Sequence, residues 1–99
     1  MNFGDALENL RSGQRVCRAG WNGQEAVTYR MWLAYSPGHP ALPAAQFWST
    51  QIARYAQARG GTAAVLPCIM MKTAQDDVVP WLASQTDILA QDWEMLPPL

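Results

Sequence analysis

Phe3, Leu7 and Leu10 recur at spacings of four and three residues, the repeat of one helical face, and predict a helix over about 2–12. Asn2 stands where it can cap the first turn, Asp5 follows three residues later, and Gly13 supplies the stop. The pattern then changes. "QRVCRAG", "AVTYRMWLAY" and "AAVLPCIMMKT" are rich in β-branched, aromatic or Met residues and bounded by Gly, Pro or Asn, and each predicts a strand. The polar "AQDD" between "MKT" and "VVP" predicts a hairpin turn, with Pro67 and Pro80 suited to strand ends or edges. "SPGHPALP" reads as a loop. After it, "AAQFWSTQIARYAQARGG" places Trp48, Ile52 and Tyr55 on one face of a second helix closed by Gly60 and Gly61. A third, short helix is expected from Ser84, whose hydroxyl can accept from free first-turn N–H groups, to about Asp92. The expected class is α+β: a small antiparallel sheet with an N-terminal helix, an inserted middle helix and a short C-terminal helix.

A chain of 99 residues is expected to form one domain, and one so short gains stability from an oligomer that buries more surface. With 49% hydrophobic residues and five Trp, it has the composition of a folded protein rather than a disordered tail. Seven Lys plus Arg stand against eight Asp plus Glu. No broad positive field therefore exists to hold a polymeric nucleic acid. Cys17 and Cys68 are too few for a metal constellation, and "MNFGDALENLRSG" lacks the segments of a signal peptide; both read as reduced thiols in cytoplasm. No stretch has the apolar length to span a bilayer.

Candidate chemistry is sparse. His39 in "PGHP" could act as a base for Cys17 or Cys68, but nothing marks the third, orienting group that such a pair needs. Asp76 and Asp77 read as solvated turn residues rather than cation ligands, and Lys72, with Cys68 and Met70 on its face of the strand, as a residue whose stem lies at the core edge. More informative is "RAGWNG" at 18–23, a tight turn carrying a tryptophan that must pack into the core, a partner chain or the flat face of a ligand. In "VPWLASQTDILAQDW", at 79–93, tryptophans flank Ser84, Gln85, Thr86 and Asp87. A helix starting at Ser84 offers free N–H donors, while Asp87 suits ligand hydroxyls better than a phosphate. Aromatic, amide, hydroxyl and carboxylate groups together describe a pocket for a nucleoside or sugar.

The segments "MNFGDALENLRSG", "RAGWNG" and "MMKTAQDDVVPWLASQTDILAQDWE" resemble the phage Thoeris anti-defence proteins of the second type, over about residues 1–23 and 69–94. The middle, from about Ser36 to Thr62, departs from the short linker associated with compact members, so its helix reads as an insertion, at about 36–62, in a single nucleotide-sequestering domain of residues 1–99. The resemblance implies a homotetrameric sponge in the host cytoplasm that captures glycocyclic ADP-ribose immune signals without cleaving them, and, for some relatives, cyclic oligonucleotides at a separate site. It places Trp21, Asn22, Trp81, Ser84, Gln85, Thr86 and Asp87 at the ligand and implies no catalytic residue, metal or cofactor. Two other classes stand beside it. A hydrolase of the same nucleotides would have to recruit Asp87, Asp92 or Glu94, and a protein-binding adaptor would use the Trp-rich surface as an interface.

Overall fold

In a computed structural model, residues 1–23 and 29–99 are described. The chain forms two compact units, one of Met1–Ser36 with Ile69–Leu99 and one of Pro37–Cys68.

The first unit opens with α1 (Phe3–Arg11), where Asn2 Oδ1 accepts from the backbone N–H of Asp5 at 2.8 Å. Gly13, at φ +91°, ends the run in the left-handed conformation that a side chain would disfavour. The strands β1 (Val16–Arg18) and β2 (Trp32–Ser36) follow. The expected strand over 26–35 is therefore displaced toward its C-terminal end, and its residues 26–28 lie outside the described part of the chain.

The second unit pairs β3 (His39–Pro43) antiparallel with β4 (Thr62–Val65), with α2 (Thr50–Ala58) between them. Here two expectations are corrected. The pattern predicts a loop at "SPGHPALP", but five of its residues form β3; Pro40 and Pro43 are tolerated because this two-stranded ribbon has only edges. The run "AAVLPCIMMKT" is not one strand either. It breaks at Leu66–Pro67 into β4 and β5 (Cys68–Lys72), which belong to different sheets.

The middle helix is also shorter than its periodicity predicts. A 3-10 turn (Ala44–Gln46) precedes it, and Ser49 caps α2 by accepting from Ile52 N–H at 3.3 Å. The face expected to pack is exposed: Trp48 completely, Ile52 and Tyr55 about half, while the helix buries Ala56. Spacing identified a stripe but not which side of α2 the short ribbon would cover.

The chain returns to the first unit through β5 and β6 (Val78–Pro80), an antiparallel hairpin whose turn holds Asp76 at φ +70°. Lys72 does not simply trail into water. Its Nζ pairs with Asp76 at 2.7 Å and donates to Arg30 O at 3.0 Å. Next come α3 (Gln85–Leu89), which stops short of the expected Asp92, and β7 (Trp93–Met95), a strand the sequence did not announce. The five-stranded order is β6-β5-β2-β1-β7, in keeping with the expected α+β class. Ala6 and Leu10 of α1 close over Val16, Leu33 and Trp93 to make the core, against which Phe3, Trp21, Tyr35, Ile69, Met71 and Trp81 pack. Among the described residues no helix is long and apolar enough to cross a membrane.

Candidate functional site

The turn after β1 and the approach to α3 both carry a tryptophan onto the same core ring. Trp21 lies edge-on to Trp93 with centroids 5.4 Å apart and planes at 76°, and Trp81 lies edge-on to it at 5.9 Å and 86°. Phe3 fills the third side, 5.6 Å from Trp93 and 6.1 Å from Trp81. Edge-to-face pairs of this kind are favoured by the ring quadrupoles. Trp93 is buried and spent on the core, so it cannot offer a stacking face. Trp21 and Trp81 remain half-buried, each with surface open to solvent.

Asn22 does not aim its amide outward. Its Oδ1 accepts from Met31 N–H at 2.8 Å and its Nδ2 donates to Met31 O at 3.0 Å, so the side chain substitutes for one rung of a ladder. Gly23 follows at φ +67°.

At α3 the expected cap is present and doubled. Ser84 Oγ accepts from Asp87 N–H at 3.0 Å, and Asp87 Oδ2 accepts from the N–H and hydroxyl of Ser84 at 3.1 and 2.8 Å. The other Asp87 oxygen accepts from Arg18 Nη1 at 3.0 Å, while Arg18 Nε donates to Asp92 Oδ1 at 2.9 Å. Burial pulls the Asp87 carboxyl upward, but the donors from Ser84 and Arg18 outweigh it and leave the group below the usual carboxylate range. Hydrogen bonding from Arg18 lowers Asp92 in the same direction. Gln85 and Thr86 are exposed on the first turn.

The structure therefore brings all seven expected residues into one unit and divides them by how they are occupied. Trp21, Trp81, Gln85 and Thr86 present solvent-facing surface, whereas the polar atoms of Asn22, Ser84 and Asp87 are engaged within the protein. Sequence reasoning missed Arg18. It lies inside the quoted "RAGWNG", but its partners are 69 and 74 residues away, and only an unpaired-charge argument at Asp87 would have called for it.

Elsewhere, His39 lies exposed on β3 with Nδ1 accepting from Ala41 N–H at 3.1 Å. Cys17 is buried, and burial followed by the charge of Glu94 pushes its thiol upward, away from the thiolate that a nucleophile requires. A groove of about 410 Å³ in the second unit is lined by Phe47, Trp48, Thr50 and Arg54 among others; its residues fell within the expected helix and carried no separate signal.

Among known proteins, the chain matches a Thoeris anti-defense 2-like domain over residues 1–96. It is 34% identical over 96 residues, covering 97% of this chain and 94% of the relative, to a protein of Bacillus phage SP01 named Thoeris anti-defense 2. The chain belongs to the Thoeris anti-defense 2-like family.

Proposed function

We propose that this member of the Thoeris anti-defense 2-like family is a sponge that binds glycocyclic ADP-ribose immune signals and holds them without cleavage. An anti-defence role follows from family membership. The narrower reading is carried by one observation: Trp21 and Trp81, from distant parts of the chain, both make T-shaped contacts with Trp93, whose Nε1 donates to Asp87 O in the first turn of α3, and both keep surface open to solvent. A half-buried indole offers a flat, sequence-tolerant surface for a base, worth about 1–3 kcal/mol per stacked base. Gln85 and Thr86 supply hydrogen-bonding side chains for sugar hydroxyls, while Asn22, Ser84 and Asp87 shape the two rims.

The state of the acids favours capture over hydrolysis. A general base works best with a pKa near the operating pH. Asp87 is instead drawn downward, against its partial burial, by hydrogen bonds from Ser84 and then Arg18, and Asp92 by hydrogen bonding from Arg18, which makes each a weaker base. We assign the sequestering role to the unit containing both tryptophans, and read the helical stretch 36–62 as an addition to it.

The reading includes a homotetramer in the bacterial host cytoplasm, with cyclic oligonucleotides as a further ligand class and no polymeric nucleic acid as partner. Trp48, exposed just before α2, Ile52 and Tyr55, exposed on it, and Val78 and Val79, exposed on β6, supply apolar surface that association would cover. Light scattering at micromolar concentration should give four chains per particle.

The decisive experiment mixes the protein with a limiting amount of a glycocyclic ADP-ribose, follows loss of free ligand, then denatures the protein and analyses what is released. Intact ligand in full yield supports the sponge. A cleaved product, or removal of a large excess, would replace it with the hydrolase reading.

A further inference from the structure

We propose that Arg18 is the positioning residue of the candidate site, a single guanidinium that fixes both ends of α3 against the turn bearing Trp21; this rests on reading that site as the ligand pocket. Arg18 ends β1, and its carbonyl accepts from Trp21 N–H at 3.1 Å, so the tryptophan turn starts from this residue. Its side chain reaches the opposite half of the site. Asp87, in the first turn of α3, takes Nη1 at 3.0 Å, and Asp92, just beyond the helix, takes Nε at 2.9 Å.

Such a clamp matters because little else holds this helix. Five residues are too few for a helix to be stable alone, and none of the residues of α3 is buried, so apolar packing, which reaches the core at Ala90 just after it, holds it only weakly. Polar contacts add the rest: the capping box, the bond from Trp93 Nε1 to Asp87 O at 2.9 Å, the backbone bond from Ala19 N to Asp92 O at 3.0 Å, the bonds from the Met1 ammonium to Gln91 O and Trp93 O at 3.3 and 2.8 Å, and Arg18. Partly exposed ion pairs add little to global stability. A segment with so few buried contacts opens locally at low cost, however, and a small contribution there decides how often it is in place. The planar fork of arginine can serve two carboxylates at once, which the point charge of lysine cannot reproduce with the same geometry. Without the cation, Asp87 and Asp92 would repel each other at the site.

Two readouts test the assignment in Arg18→Met, Arg18→Lys and Asp92→Asn. Amide exchange reports the helix without any ligand: the N–H groups of Ile88 and Ala90, bonded to Ser84 O and Asp87 O, should exchange at least tenfold faster in Arg18→Met, with protection of the core strands unchanged. Affinity for a glycocyclic ADP-ribose should fall tenfold or more in Arg18→Met and less in Arg18→Lys and Asp92→Asn. If the parent binds and all three variants bind within twofold of it, or if exchange at Ile88 and Ala90 does not change, the proposal is overturned. If neither Arg18 variant folds, Arg18 is a general structural residue and the proposal is overturned as well. A parent that binds no ligand of this class removes the proposed function, and the exchange result alone then decides whether Arg18 fixes α3.

Discussion

The indole N–H of Trp93 donates to the main-chain carbonyl of Asp87 at 2.9 Å, so a tryptophan only 1% exposed supports the candidate helix from beneath. The same ring makes T-shaped contacts with Trp21 and Trp81. Core packing and site geometry thus share one side chain. Trp93→Phe keeps an aromatic ring but leaves space behind and deprives the Asp87 carbonyl of its donor. The expected loss of stability, read from urea unfolding, is about 2–4 kcal/mol; a loss below about 1 kcal/mol would show that the ring is less central than its burial indicates.

Trp21→Ala and Trp81→Ala separate stacking from folding. Each should weaken binding of a glycocyclic ADP-ribose by about 1–3 kcal/mol, the cost of losing one base-stacking face. Circular dichroism establishes that the variants are folded, and calorimetry measures the affinity. Two folded variants with parental affinity would remove both indoles from the site.

Gly38→Ala should unsettle the second unit specifically. Gly38 has φ +75°, and a Cβ there would come 2.2 Å from Val65 O. Neither the backbone conformation nor the space accepts a side chain, so the replacement should destabilise by more than the roughly 1 kcal/mol that Gly→Ala can gain at a compatible site. The measurement is amide exchange across β3 and β4. Unaltered protection of Leu42 and Ala63 would contradict this geometry.

Acid should loosen α3. Hydrogen bonds and the Arg18 charge hold Asp87 and Asp92 below their ordinary values in the folded chain, so the unfolded chain takes up protons first as pH falls. The stabilisation they contribute is present above the ordinary aspartate value of about 3.9 and is lost as pH drops through the lower folded values. Ile88 and Ala90 amides, followed by NMR between neutral pH and pH 3, should therefore lose protection only at the acid end. Loss already near pH 6 would point to a different titrating group.

Features made by atoms close along the chain were legible in the sequence. The Asn2 cap and Gly13 stop of α1, the turn at Asp76 and the Ser84 cap of α3 each depend on partners within a few residues. Composition and these local signals were enough for the α+β class, and the residue types of the candidate site were visible as two short motifs. Tertiary structure decided everything that depended on what lay opposite. Trp48 and Trp93 look alike in a sequence, yet one is fully exposed and the other buried, because only Trp93 is roofed by α1 and flanked by Trp21 and Trp81. β3 exists because β4 pairs with it, despite two prolines that argue for a loop. Arg18 joins the site only because folding brings Asp87 and Asp92 to it across 69 and 74 residues. Spacing and propensity describe a side chain's neighbours along the chain; its partners across the fold are set by which surfaces the other elements leave to cover.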